Sequence, residues 1–490
     1  MAIDQGTTGS QVLLVDHAGQ IVAAESQDFP QQFPKAGWVE HDLEEIWRSI
    51  ETAADRMFKA HPNARNEIAA IGITNQRETV VFWDQKTGRA LHNAIVWQDR
   101  RTSDLCEKLK KKGLKPKIKS KTGLVIDPYF SATKMQWLLE NVAGLKEKAA
   151  SGAALAGTMD SFVLWRLTQG ASHKTDVSNA SRTMLMNIKT GAWDNDLLKL
   201  FKVPAACLPE IADSSGVFGH TKGVGFLPDG IPVAGIAGDQ QSALFGQACF
   251  KAGEAKCTFG TGSFLLMNTG AQMKSSKAGL LTTVAWRLPG QKMQYALEGG
   301  AFVCGAAVQW LRDGLGLIKT SAEVEALANE VNDTLGVQFV PALTGLGAPY
   351  WWPEARGLIT GLTRGTTKAH LARATLESMA MQNVEILLAM QKDLGRKLPS
   401  LKVDGGATAN GTLMQMQADM LGVTVERPQN IETTAMGAVF LAGLGTGFWK
   451  NLEELRKVWK IDRDFKVKWS AKQRSVRLKE WQAAVTRAKA

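Results

Sequence analysis

Apolar residues in this chain come in short runs punctuated by glycine, and the runs alternate between a two-residue and a 3.6-residue period. Period two, with Gly turns between, predicts strands near 1–4, 11–16 and 20–26. A helical stripe follows over Leu43–Lys59, opened by Asp42 as N-cap with Glu44 and Glu45 in its first turn. Ile68–Thr74 and Thr79–Trp83 read as strands on either side of the polar corner Asn75-Gln76-Arg77-Glu78, and Ile95–Trp97 as a short one. Helical periodicity returns at Ala132–Asn141, Asp160–Leu167 and Leu197–Phe201. The strand Pro232–Ile236 then runs through the turn Gly238-Asp239-Gln240-Gln241 into a helix ending near Gly246. Beyond about Lys251 the pattern restarts. A hairpin is expected at 254–268, a strand at Met293–Leu297, a Gly-rich helix start at Glu298-Gly299-Gly300-Ala301 and its helix over Phe302–Arg312. Long helices near 368–395 and 410–421 surround the strand Leu401–Val403. Alternation of this kind argues for an α/β class.

One turn pattern is written twice. Ala2-Ile3-Asp4-Gln5-Gly6-Thr7-Thr8-Gly9-Ser10 leads into Val12-Leu13-Leu14-Val15, and Cys257-Thr258-Phe259-Gly260-Thr261-Gly262-Ser263 leads into Phe264-Leu265-Leu266-Met267. Each reads as strand, tight turn, strand. Glycine lets backbone N–H groups approach an anion, and Thr and Ser hydroxyls add donors. One such hairpin is a common turn; two in equivalent halves suggest opposed phosphate clamps facing a shared cleft. In that plan the chain resembles the actin, sugar kinase and Hsp70 superfamily. The expected fold is two actin-like (ribonuclease H-like) ATPase domains, 1–248 and 249–490, flanking a nucleotide and substrate cleft. No low-complexity linker separates them, so short crossovers should let the lobes hinge.

Length supports more than one domain, since single cores stop growing near 250–300 residues, and the chain has 490. The net charge of +11 is local in origin: eight lysines lie between Lys108 and Lys121, and without them the balance would be +3. The segment has no interleaved aromatics and no nucleic-acid-binding motif accompanies it, so a solvated surface helix and loop is the plainer reading than a nucleic-acid or lipid patch. The five cysteines have no Cys-x-x-Cys spacing, which argues against a zinc site or disulfide framework. Free thiols, no apolar run of about 18 residues and no signal peptide before Asp4 give the expectation of a cytoplasmic protein, without nucleic acid or membrane insertion.

Two nucleotide-enzyme patterns are missing. There is no Gly-Lys-Ser/Thr of a P-loop and no protein-kinase set. A third anion feature, Val403-Asp404-Gly405-Gly406-Ala407-Thr408-Ala409-Asn410, runs from strand to helix, where paired glycines let a base or ribose lie on the backbone. Asp239, at a strand end behind Gly235-Ile236-Ala237-Gly238, is the expected catalyst: phosphoryl transfer is mostly positioning, but a carboxylate can take the proton of an attacking hydroxyl. A helix N-cap is its alternative role.

Longer motifs make the resemblance specific. Gly238-Asp239-Gln240-Gln241, the spaced set Tyr129, Ser131, Lys134, Met135 and Trp137, and Gly357-Leu358-Ile359-Thr360-Gly361-Leu362-Thr363-Arg364-Gly365 are similar to the FGGY carbohydrate kinases. Gly37-Trp38-Val39-Glu40-His41-Asp42, Asn75-Gln76-Arg77-Glu78-Thr79, Asn93–Gln98, Thr122–Tyr129 and Pro341–Trp351 are similar to its glycerol-phosphorylating branch nearly residue for residue. The resemblance covers essentially the whole chain. It implies ATP-dependent phosphorylation of glycerol to sn-glycerol 3-phosphate, the first step of glycerol catabolism, with ATP and Mg²⁺, by a homodimer or homotetramer. It implies glycerol contacts from Arg77, Glu78, Tyr129, Asp239 and Gln240, with Trp97 and Phe264 against the carbon face. Arg77 and Glu78 must then sit on a corner, because adjacent strand residues face opposite ways. Thr7, Thr8, Gly9, Gln11, Thr261 and Gly262 would hold phosphates. Gly305, Gln309, Gly406 and Asn410 would line the adenosine side, and Asp4 and Asp239 would stand outer-sphere to Mg²⁺.

Three positions depart from the family pattern. Gln11 replaces an Arg of the first phosphate loop, which predicts weaker nucleotide affinity. The three residues before Asp4 are about half the usual strand, so that either the start lies upstream or the strand is stunted. Gly230 stands where members inhibited by fructose 1,6-bisphosphate carry Arg, so that inhibition is not expected. The alternatives are an FGGY kinase for another small polyol or ketose, which needs a larger pocket, and a degenerate non-catalytic member.

Overall fold

The computed structural model describes residues 1–352 and 354–488. Two sheets dominate it, and they are built to one plan. The first runs in the order Ser215–His220, Pro232–Gly238, Ile71–Asn75, Ala2–Gln5, Gly9–Val15, Ile21–Asp28. The second runs Ile461–Phe465, Val425–Pro428, Leu401–Asp404, Ala255–Phe259, Ser263–Gly270, Gln294–Ala301, with Leu281–Trp286 added at its edge. In both, the three central strands are parallel and the outer ones antiparallel. The repeat seen in the two Gly/Thr hairpins therefore extends to whole sheets.

Helix Leu43–Ala60 covers the outer face of the first sheet. Asp42 accepts a hydrogen bond from the Glu44 N–H at 2.8 Å, as its N-cap role requires. Ile50, Ala53, Ala54 and Met57 bury against Ile3, Val12, Ile73 and Val233, each large side chain contributing about 1.5–3 kcal/mol. Between the two sheets lie helices Asp239–Gly246 and Thr433–Thr446. Each leaves one sheet and packs on the other. The first continues from Pro232–Gly238 and reaches Ala255–Phe259 and Ser263–Gly270; the second follows Val425–Pro428 and covers Ile71–Asn75 and Pro232–Gly238. Their shared core joins Ala2, Leu13 and Ala237 of the first sheet to Leu266 and Ala296 of the second through Leu244, Phe245, Ala438 and Leu441. A separate cluster around Ile118, Phe130, Leu138 and Phe201 forms a helical flank beside the first sheet. Among the described residues no helix is long and apolar enough to cross a membrane, and all five cysteines are free and buried. The lysine-rich segment forms two short helices, Ser103–Lys111 and Lys115–Thr122.

The expected elements of the first half stand within a few residues of their places. One expectation is corrected. Glu298–Ala301 does not open a helix but ends the strand Gln294–Ala301, and the helix begins at Gly305. Gly299 instead lets helix Lys368–Leu394 pack closely on the strand: a Cβ there would stand 2.5 Å from Ile386 Cγ2.

Candidate active site

The corner expected at Arg77-Glu78 is present. The strand Ile71–Asn75 ends, Gln76 donates its N–H to Gln5 O at 2.7 Å, and Glu78 takes a left-handed φ of 61°. That conformation is strained for a residue with a Cβ, and such strain concentrates at functional positions. It turns the Arg77 and Glu78 side chains into one buried cluster. Arg77 Nε lies 3.0 Å from Asp239 Oδ1, and its Nη1 and Nη2 donate to Glu298 at 2.7 and 3.0 Å. Nη2 also donates to Tyr129 Oη at 3.3 Å. Glu78 Oε1 accepts from Arg182 Nε at 2.6 Å, and Arg182 Nη2 reaches Glu298 Oε1 at 3.0 Å.

The ion pairs set the charge states. Burial pushes the Glu298 carboxyl up, but Arg182 and Arg77 outweigh it and hold it at about 2. Burial raises Glu78 against the opposing pull of Arg77 and Arg182. Burial first, then Asp239 and Glu432, push the Asp4 carboxyl up to about 8.

Asp239 is the first residue of its helix, behind Gly238 at the N-cap, and its Oδ1 accepts from the Gln240 N–H at 2.6 Å. Its side chain is 32% exposed, whereas the Arg77 side chain beside it is 2% exposed, so the carboxylate is the most exposed charged group of the cluster. Tyr129 sits just before helix Ser131–Asn141, its loop held by Lys134 Nζ, which donates to the carbonyls of Pro128, Tyr129 and Phe130. Trp97 packs edge-on to Tyr129 with centroids 5.6 Å apart, and its Nε1 donates to Thr7 Oγ1 at 3.0 Å. That bond ties the aromatic wall to the first hairpin. Gln240 Oε1 accepts from the buried Lys256, whose Nζ also donates to Thr258 Oγ1 at 2.7 Å. Phe264 begins the strand side of the second hairpin, below Gly300.

The two hairpins close alike. Gly6 N donates to Gly9 O and Gly260 N to Gly262 O, both at 2.9 Å. Thr7, Thr8 and Gly9 form the first tip. Thr261 and Gly262 form the second, and Gly305 N donates to Gly260 O at 2.9 Å, so a helix N-terminus abuts it. Gln309 lies exposed one turn into that helix. Gly405 has φ +89°, with its Cβ position 2.6 Å from Phe259 O, whereas a Cβ on Gly406 would meet nothing within 4 Å. Asn410 caps helix Gly411–Leu421, accepting from Leu413 N at 2.8 Å. Burial first and then Asp404 raise the Glu432 carboxyl, and Gln11, which stands beside it, lowers it. Sequence reasoning missed Glu298, Arg182 and Lys256, all buried and all in contact with expected site residues. Among the described residues no group of three His, Cys, Asp or Glu side chains could hold a metal ion.

Two matched hairpins facing a charged and aromatic corner define a class of protein. Residues 1–246 match the FGGY family of carbohydrate kinases, N-terminal domain, and residues 255–446 its C-terminal domain. The chain belongs to the FGGY family of carbohydrate kinases, as its motifs led us to expect. Within the family it is 65% identical over 487 residues to glycerol kinase of Bdellovibrio bacteriovorus, covering 99% of this chain and 98% of that one. It is 56% identical to glycerol kinase of Carboxydothermus hydrogenoformans, covering 100% and 98%. Among solved structures it superposes on Plasmodium falciparum glycerol kinase with ADP at TM-score 0.93 and 39% identity, covering 99% and 97%. A ligand-bound xylulose kinase from Lactobacillus acidophilus, at TM-score 0.88 and 23% identity, shares the fold.

Proposed function

We propose that the chain transfers the γ-phosphoryl group of ATP to glycerol, giving sn-glycerol 3-phosphate and ADP. The observation that carries this reading is the partly exposed Asp239 carboxylate, 3.0 Å from Arg77 Nε, in a small corner walled by Tyr129 and Trp97. A triol suits it: carboxylates accept from neighbouring hydroxyls, guanidinium donates, and rings cover CH groups. In this reading Arg77, Glu78, Tyr129, Asp239 and Gln240 bind the hydroxyls, and Trp97 and Phe264 the carbon face. Asp239 accepts the proton of the attacking hydroxyl as its oxygen bonds to the γ-phosphorus, the bridging P–O bond breaks, and ADP leaves.

Thr7, Thr8, Gly9, Thr261 and Gly262 hold phosphates, Gly305, Gln309, Gly406 and Asn410 the nucleoside. The open face over Gly406 is compatible with a flat ring. Gln11, beside Glu432, contributes an amide and no charge. Mg²⁺, bound mainly by phosphates and water, would neutralise charge on the transferring group. Asp4, pushed up by burial first and then by the neighbouring Asp239 and Glu432 carboxylates, is the kind of acidic group a nearby cation relieves. Residues 1–248 and 249–490 supply the two sides of the cleft, and the protein works as a cytoplasmic homodimer or homotetramer.

Glycerol kinases at high identity over the whole chain favour glycerol over a pentulose or another polyol. ADP release measured with glycerol, erythritol and xylulose tests the reading. Turnover with glycerol far above the others is expected; comparable or faster turnover of another acceptor would overturn it, and no turnover with any would favour a non-catalytic member.

A further inference from the structure

The charged groups of the corner alternate in sign, and a longer contact of 3.8 Å from Arg77 Nε to Glu78 Oε1 closes four of them into a ring to which Asp239 is attached. Asp239 pairs with Arg77, Arg77 with Glu298, Glu298 with Arg182 and Arg182 with Glu78, at 3.0, 2.7, 3.0 and 2.6 Å. Arg77, Glu298, Arg182 and Glu78 are each at most 3% exposed. Asp239 and Glu78 are the carboxylates that the functional reading gives to glycerol, while Glu298 is not a substrate contact and comes from the other lobe. Glu298 stands in the strand Gln294–Ala301, opposite Leu266 of one neighbouring strand and Leu281 of the other. A strand bonded on both sides fixes its Cα firmly. Arg77, by contrast, hangs from a turn whose next residue holds a strained φ.

We propose that Glu298 is a positioning residue for glycerol phosphorylation, by which the second lobe sets the substrate corner of the first. Its carboxylate takes both terminal nitrogens of Arg77, which leaves Nε as the donor facing Asp239. With the same Oε1 it holds Arg182, whose Nε fixes Glu78. Without that negative centre two buried guanidiniums would face each other, and each would compete for Asp239 and Glu78. The two glycerol carboxylates would lose their common support together. Separation of the lobes would break these ion pairs at the same point, so glycerol binding and lobe docking are coupled through one side chain. The nucleotide-side groups, Thr7, Thr261, Gly305 and Gly406, make no bond to these charges.

The inference rests on the functional reading above, and its test separates the two. Glu298→Gln keeps the shape but removes the charge. Glycerol Kd from calorimetry without nucleotide, and KM for glycerol, should rise roughly 30-fold or more, the usual scale for breaking a buried hydrogen-bonded charge pair, with a loss in kcat. KM for ATP should stay within about threefold. Glu298→Asp, which restores the charge one methylene short, should recover part of the loss, and it serves as the reading if the Gln variant does not fold. In an Arg77→Ala background Glu298→Gln should do less than it does alone, because it acts partly through Arg77. Unchanged glycerol Kd despite a lower melting temperature, equal rises in both KM values, or full additivity with Arg77→Ala would each overturn the proposal. An unaltered protein that does not phosphorylate glycerol would overturn the functional reading instead.

Discussion

Gly437→Ala should both destabilise the protein and slow its chemistry, although intrinsic helix propensity favours alanine by about 1 kcal/mol. Gly437 lies inside helix Thr433–Thr446, where that helix crosses Asp239–Gly246. A Cβ at position 437 would stand 1.9 Å from Ser242 O and 2.6 Å from Ser242 Oγ, where ordinary contact begins at 3.4 Å. Gly246 answers it on the facing helix, its Cβ position being 2.0 Å from Thr433 O. The obstruction is backbone, so no rotamer change relieves it. Relief requires the helices to separate by about 1.5 Å, the shortfall from normal contact. Overpacking of this kind costs about 1–3 kcal/mol. The upper end is expected here, less the propensity gain, for a net loss near 2 kcal/mol and a melting temperature lower by roughly 4 °C. Asp239 is three residues from Ser242 on the same rigid turn, and an ångström of misplacement can reduce rate by about 100-fold. Scanning calorimetry and kcat measured well below the transition give both numbers. A melting temperature unchanged or raised, with kcat within about threefold of the parent, would refute the idea that this backbone contact places Asp239.

Arg77→Ala or Glu78→Ala should raise KM for glycerol far more than KM for ATP, because each removes charge-assisted bonds worth about 1.5–3 kcal/mol to hydroxyls; equal effects on both substrates would put the corner in the scaffold. The lobes should close on glycerol plus a non-hydrolysable ATP analogue, since closure excludes water from the transfer, and small-angle scattering with no change in radius of gyration would count against it. His41 is buried and His173 half-buried, and desolvation lowers both to about 4 from an ordinary 6.5. The unfolded chain therefore binds more protons below pH 6.5, and their contribution to stability is lost as pH falls from there through about 4. Urea midpoints between pH 7 and pH 5 should fall less steeply in His173→Asn than in the parent, and equal slopes would contradict this.

Local signals made much of the fold readable. The hairpins, the Asp42 cap and the polar corner are each written within about ten consecutive residues, where turn chemistry and periodicity act. What escaped is non-local. Glu298 meets Arg77 across 221 residues of sequence, and its Gly-Gly neighbours imitate a helix start although they lie in a strand, where Gly299 admits a packed helix. Helix Thr433–Thr446 is buried between two sheets and apolar on most sides, so it shows no amphipathic stripe, and Gly437, Gly443 and Gly445 read as breakers. Gly437 and Gly445 let the helix approach neighbouring backbone closely, and Gly443 makes room for the Trp449 ring. Strand Ile461–Phe465, exposed at four of five positions, carries too few apolar residues to declare itself. Arg182 and Lys256 were invisible because a buried charge is identified only by its partners.

The most direct measurement is ADP release with saturating glycerol and ATP by the unaltered protein and by Asp239→Asn, side by side, with nucleotide affinity measured for both. The substitution keeps size and hydrogen-bonding capacity and removes the base. The account predicts a folded variant that binds nucleotide normally and turns over about 10²–10⁴-fold more slowly. A variant retaining more than about a tenth of the parent kcat would mean that Asp239 serves as a helix-terminal residue and that the proton of the attacking hydroxyl goes elsewhere.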